Sequence, residues 1–242
     1  RILPADDLRF FIENYWFVEW DLRGEAPYRQ ETLSHPTVHI VIQKDKTAIF
    51  GVVSGKFSIV LEDVGYAFGT KFRPGAFYPF INKPMSTFTD KTLPIEAVFD
   101  KDTQSLEDEV LALATKEAQI AMMETLYRAH LPEKDETVDL ILEIADFIQS
   151  DTSVTRVDQI NEKFHLSKRT LQRIFNEYVG VSPKWMIQRY RLHEALEKVE
   201  LQPAPDWKRV AVELGYFDQA HFINDFKKLT GLTPARYLDN AG

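Results

Sequence analysis

An α+β fold in two domains is predicted: a β-barrel or sandwich with trailing helices, then an all-α domain. Three observations carry this. β-branched and aromatic runs dominate residues 1–100, whereas from about Ser105 apolar residues recur every three or four positions. A polar, proline-initiated segment, Pro132-Glu133-Lys134-Asp135-Glu136, separates 1–132 from 137–242. The motif Gly180-Val181-Ser182-Pro183 returns as Gly231-Leu232-Thr233-Pro234, 51 residues later, so the second domain holds one supersecondary unit twice.

Taken in order, the chain starts with a short helical stretch around 6–12. Asn14-Tyr15-Trp16-Phe17-Val18-Glu19-Trp20 is aromatic and β-prone. Val38-His39-Ile40-Val41-Ile42 reads as a buried strand, with Thr47-Ala48-Ile49-Phe50 as its hairpin partner after Lys44-Asp45-Lys46. Residues 57–61 and 65–72 continue a meander, and Arg73-Pro74-Gly75-Ala76 is a turn signal. Leu106, Val110, Leu111 and Leu113 suit an amphipathic helix; Ile120, Met123, Leu126 and Tyr127 suit a second. Residues 137–149 open the second domain as a helix bearing Val138, Ile141, Leu142, Ala145 and Ile148.

The segment 155–173 is two short helices and a tight turn. Val157, Ile160 and Phe164 share one helical face, His165-Leu166 turns the chain, and the Ser167 hydroxyl can cap the next helix. That helix turns Leu171, Ile174 and Phe175 inward and presents Lys168, Arg169, Thr170, Gln172 and Arg173 outward. Arginine and glutamine side chains of this kind pair bidentately with base edges or with phosphates. A helix-turn-helix with such a second helix is a DNA-reading device. A long helix follows over 184–199, then a break at Gln202-Pro203-Ala204-Pro205. Asp206 caps a helix over 207–214, Gly215 ends it, and Asp218 caps a last pair member over 219–229.

The net charge of −8 at first argues against nucleic acid, but it is unevenly placed. Residues 1–136 carry 15 Lys+Arg against 22 Asp+Glu; residues 155–236 carry 14 against 10. The helical half is the basic one. With no cysteine there is no disulfide, no Cys-ligated zinc and no thiol chemistry. No apolar run approaches the roughly 20 residues of a membrane span, and no secretory-type stretch opens the chain. A cytoplasmic protein is expected. Nothing matches a nucleophile–base pair, a Walker loop or a dinucleotide fingerprint, so neither an enzyme nor a cofactor is expected.

Residues 137–238 resemble the DNA-binding domain of the AraC/XylS family of bacterial transcription regulators. The resemblance rests on 166–175, on Gly180-Val181-Ser182-Pro183, on Ala211-Val212-Glu213-Leu214-Gly215-Tyr216-Phe217-Asp218-Gln219-Ala220-His221-Phe222, and on 226–234. It implies two helix-turn-helix units joined by the 184–199 helix and reading successive major grooves of double-stranded DNA. By position the second unit would use Gln219, Ala220, His221 and Asn224. Asn224 stands where Arg is often seen and Ala220 has no polar edge, so this unit should discriminate bases less sharply. Phosphate contacts would come from Ser167, Lys184, Asp218, Lys227, Lys228 and Arg236, or these would be structural caps and plain surface cations. RNA polymerase is an expected partner of such a regulator.

Tyr15-Trp16, His35-Pro36-Thr37-Val38-His39 and 68–78 look like the cupin-like N-terminal domain found before this reader, which implies effector binding, dimerisation or both. The ligand candidates are Trp16, His39, Arg73 and Tyr78. Aromatic residues such as Trp16 and Tyr78 are more often core than pocket, and Arg73 either receives a carboxylate or phosphate or forms a structural salt bridge. His35 and His39 lack the carboxylate and His-x-His pattern of a metal site, so no metal is expected. A first domain that serves only protein contacts, and a barrel enzyme with an appended reader, are the rival readings.

Overall fold

The computed structural model describes residues 1–200, 206–216 and 218–241, apart from the side chains of 197–200, 228–230 and 238–241. The predicted break at 202–205, Phe217 and the Lys228 side chain therefore lie outside the described residues. The first domain is built on its aromatic strand. β1 (Ile12–Asp21) pairs antiparallel along its length with β6 (Val64–Phe72), setting Trp16 opposite Gly69 and Trp20 opposite Gly65. A Cβ on Gly69 would lie 2.0 Å from the Trp16 ring, and one on Gly65 1.9 Å from the Trp20 ring. These glycines give the indoles room to lie flat across the sheet.

On the other side of β6 lies β3 (His39–Ile42), which makes the predicted hairpin with β4 (Ala48–Phe50); β7 (Thr92–Leu93) completes the order β1-β6-β3-β4-β7. β2 (Tyr28–Leu33) and β5 (Lys56–Leu61) form a separate antiparallel ribbon. The expected local meander is thus replaced by pairings between distant strands. Nothing in the sequence marks β2 as a strand, because Tyr28-Arg29-Gln30-Glu31-Thr32 has no apolar alternation. Its strand state comes from its partner β5 and from burial of Leu33. The predicted helical start is a run of turns, with Leu8 N–H donating to Ala5 O and Phe11 N–H to Leu8 O.

After a short helix, α1 (Tyr78–Ile81), the expected pair α2 (Thr103–Leu111) and α3 (Lys116–Ala129) follows, capped by Asp102 and Thr115. α3 is tied to the sheet by buried hydroxyls: Tyr127 Oη donates to Thr70 Oγ1 at 2.7 Å, and Tyr15 Oη to Glu124 at 3.3 Å. α4 (Glu136–Ser150), capped by Asp135, serves two cores. Val138 and Leu142 pack with the core of the first domain, while Ile141, Ile144, Ala145 and Ile148 pack with the helices that follow.

Those helices are α5 (Val157–Phe164), α6 (Lys168–Ile174), α7 (Pro183–Glu200), α8 (Trp207–Glu213), α9 (Gln219–Thr230) and α10 (Pro234–Ala241), with a π turn at Phe175–Val179 between α6 and α7. The repeat seen in the sequence recurs in the packing. Ile160 and Ala211, Leu171 and Phe222, and Phe175 and Phe226 are pairs 51 residues apart, and all six are fully buried. Gly180 and Gly231 end the two units at φ 90° and 78°, where a side chain would be strained. Two first-domain residues join the helical cores: Val52 in the first unit's core and Leu33 in the second's.

Candidate nucleic-acid interface

The same cap opens both candidate recognition helices. Thr170 N–H donates to Ser167 Oγ at 3.0 Å, and His221 N–H donates to Asp218 Oδ1 at 2.7 Å, 51 residues later. Each cap satisfies an orphan N–H and fixes the helix direction, so the outer faces are set by the inner ones. Lys168, Arg169, Gln172 and Arg173 are exposed and Thr170 half-buried on α6; Gln219, Ala220, His221 and Asn224 are exposed on α9. The side chains of Arg169 and Gln172 have no partner among the described residues. Lys168 pairs with Asp158 at 2.8 Å and Arg173 with Glu177 at 3.3 Å, both solvent-exposed contacts that another anion can replace at little cost. On α9, His221 lies 3.5 Å from Asp225 and edge-on to Tyr216. Lys184, Lys227 and Arg236 are exposed around these faces.

Between the units, α7 is gripped by the first domain. Trp185, Arg189 and His193 recur every four residues on one face of the helix. Trp185 Nε1 donates to Ser54 O at 2.9 Å; Arg189 Nη2 donates to Ser54 O and Gly55 O at 2.8 and 3.0 Å. Arg189 is fully buried, stacks 4.4 Å from the Trp185 ring, and leaves Nε and Nη1 without a partner among the described residues. Burial pushes its guanidinium down to about 10, against the opposing field of Asp90. His193 lies parallel to His35 with ring centroids 4.1 Å apart. Further along, Thr89 Oγ1 donates to Gly180 O at 2.7 Å, and the rings of Tyr78 and Tyr178 lie 4.0 Å apart.

Residues 160–240 match a family model described as a helix-turn-helix domain, and residues 1–94 match one described as a domain of unknown function (DUF6597). The helical segment is 32% identical over 85 residues to the probable transcription factor PqrA of Proteus vulgaris, covering 35% of this chain and 69% of that protein. The chain belongs to the AraC/XylS family. An HTH-type transcriptional regulator of Haemophilus influenzae is 31% identical over 81 residues, 34% of this chain and 27% of that protein. The chain thus spans about a quarter of that relative, and 47% of the AdaA activator and repair enzyme of Bacillus subtilis. Over 93% of this chain and 97% of the other, ToxT of Vibrio cholerae aligns at 12% identity with a TM-score of 0.46.

In this AraC/XylS-family chain the four ligand candidates do not converge. Trp16 Nε1 donates to His39 Nδ1 at 3.2 Å, and His39 Nε2 faces Thr37 Oγ1 at 3.1 Å. Burial and the nearby Lys71 push His39 down to about 3, so the neutral ring accepts from the indole and donates to the threonine. Tyr78 is engaged at the domain junction, where its hydroxyl donates to Glu177 Oε1 at 3.1 Å. Arg73 lines a separate cleft, and the one hydrogen bond of its side chain is a 3.5 Å contact to Arg9 O. The salt-bridge alternative for Arg73 is therefore not what forms: no carboxylate among the described residues pairs with it. Among the described residues no three His, Asp or Glu cluster as a metal site, and no helix is long and apolar enough to cross a membrane.

Sequence reasoning missed Trp185, Arg189 and His193 as a contact face. The spacing of four was visible, but an arginine and a histidine on a helix normally mark the solvent side.

Proposed function

We propose that this chain is a sequence-specific, double-stranded-DNA-binding transcription regulator of the bacterial cytoplasm. The observation that carries the reading is the doubled cap at Ser167 and Asp218, each opening a helix with an exposed polar face, inside one repeated unit. Two such helices joined by α7 suit successive major grooves on one side of the duplex, about 34 Å apart. Arg169, Gln172 and Arg173 supply most of the base reading, aided by Lys168 and Thr170. Gln219, Ala220, His221 and Asn224 supply a weaker second half. Lys184, Lys227, Lys228 and Arg236 contact phosphates, with the Ser167- and Asp218-capped helix starts directed at the backbone.

The first domain reports the occupancy of a small effector, and also offers a surface for a second copy or for RNA polymerase. What supports coupling is the grip on α7 by Ser54, Gly55 and His35, since any change at the junction acts on the helix that sets the spacing of the two readers. An effector shifts DNA affinity only by its differential binding to the docked and released arrangements. Division of labour between residues 1–132 and 137–242 follows, with α4 belonging mechanically to both. Selection of bound sequences from a random DNA pool, followed by gel shift on the enriched site, tests the reading. Recovery of a site with two half-elements one helical turn apart is the expected outcome. No enrichment over non-specific binding would remove it.

A further inference from the structure

Where α7 meets the first domain, a cleft of about 350 Å³ opens between the start of the chain, the turn after β6, and α4. Its walls carry Glu13, Arg73, Asp146 and Tyr190. Some of the charge there is already paired: Glu13 accepts from Lys71 Nζ at 2.7 Å, and Arg9 pairs with Asp6 at 3.1 Å. Three groups keep unused capacity. Arg73 offers five N–H donors and uses one, in a long contact to Arg9 O. The Asp146 carboxylate and the Tyr190 hydroxyl have no hydrogen-bond or ion-pair partner among the described residues. The Tyr190 ring is anchored in the core of the first helix-turn-helix unit and is only 7% exposed. Burial, with Glu13 and Asp146 nearby, keeps its hydroxyl protonated, so at neutral pH it is a donor.

We propose that this cleft binds a small zwitterion, an amino acid or a close chemical relative. Its carboxylate is received by the Arg73 guanidinium and the Tyr190 hydroxyl, and its ammonium by Asp146. Charge-assisted hydrogen bonds of this kind are the strong ones, and a fork of guanidinium donors suits a carboxylate. A ligand with only the carboxylate leaves Asp146 unmatched beside it; one with only the amine leaves Arg73 unmatched. The volume suits a molecule of that size. Arg73 belongs to the first domain and Tyr190 to α7, so the ligand holds both sides of the junction. Occupancy then favours the docked arrangement by the ligand's differential affinity for it. That consequence, though not the binding itself, rests on the proposed regulator function.

Calorimetry on the full chain tests this, titrating the common amino acids singly, each against its des-amino carboxylic acid and its decarboxylated amine. One class of amino acid is expected to bind more tightly than both counterparts. Asp146→Asn, at an exposed position without side-chain hydrogen bonds, should weaken the amino acid by about tenfold or more and leave the des-amino acid bound as well or more tightly. Arg73→Gln should weaken both, and Tyr190→Phe should do so to a smaller degree. Amino acids that bind no better than their counterparts, or an affinity indifferent to Asp146→Asn, would overturn the site. A wild-type chain that binds its selected DNA yet takes up no amino acid leaves the regulator standing and removes the site. Binding with the expected variant pattern, but no DNA recognition, does the reverse.

Discussion

Tyr78 of the first domain and Arg173 of the first recognition helix are joined through a single carboxylate. Tyr78 Oη donates to Glu177 Oε1 at 3.1 Å while Arg173 Nη1 donates to Glu177 Oε2 at 3.3 Å. The strongest candidate base reader is thus held by an acid that the other domain also holds. Glu177 lies in the π turn that widens the end of α6, a local irregularity that places its carboxylate beside α1.

Glu177→Gln is expected to raise operator affinity a few-fold. It frees the Arg173 guanidinium and removes one negative charge from the vicinity of the phosphates. Gel-shift titration at fixed salt measures it, and unchanged or weaker binding would count against the link. Tyr78→Phe removes the other contact and should lower unfolding free energy by about 1 kcal/mol, the usual net worth of one such hydrogen bond at a partly exposed site.

The two reading helices should be unequal. Arg173→Ala is expected to cost about 1–3 kcal/mol of operator binding and to relax one base position. Asn224→Ala on α9 should cost less and broaden preference less. Lys184→Ala and Lys227→Ala should weaken all sequences alike and each reduce the salt slope by about one. Equal base preferences before and after Arg173→Ala would remove its reading role.

Domain docking should weaken in mild acid. Burial, then the partner ring, then Lys71, His39 and Arg1 push His35 far below its usual 6.5; burial and Arg189 push His193 down to about 4, only partly opposed by its ring's hydrogen bond to the Ser34 backbone carbonyl. Both rings are neutral when docked, and both take up protons once released. A depressed histidine destabilises the docked form as pH falls through 6.5 toward the folded value, and has no effect above 6.5. Lowering pH from about 7 to about 5 should therefore lower the thermal midpoint, and His193→Phe should flatten that dependence. An equally steep profile in the variant would show that the pair is not the titrating element.

Arg189→Met should be close to neutral for stability, within about 1 kcal/mol, despite the loss of two hydrogen bonds. The guanidinium is buried without a carboxylate and with two nitrogens unsatisfied, so its removal recovers desolvation cost, while Ser54 O keeps its bond from Trp185. Trp185→Ala removes both the indole packing and that bond and should cost about 3 kcal/mol or more. Chemical denaturation of the two variants separates these outcomes.

The helical half was legible because its determinants are local. Ser167, Asp206 and Asp218 cap helices within three residues of themselves, Gly180 and Gly231 end them, and the inward stripe of Leu171 and Phe222 is read from spacing alone. The β3–β4 hairpin was legible for the same reason: its strands are neighbours in the chain.

What only the tertiary structure decided is nonlocal. β1 finds β6 and β2 finds β5 across long loops, and the cost of closing those loops is repaid by burial that no short window of sequence displays. The same holds for function. The residue types of the DNA-reading faces and their spacing are written in the chain itself. The separation of Arg73 from Trp16, His39 and Tyr78 exists only once the distant strands of the first domain have paired, and the burial of Arg189 against Ser54 and Gly55 only once that domain packs on α7. A side chain's partner across a domain junction is set by packing between distant segments, and helix periodicity carries no record of it.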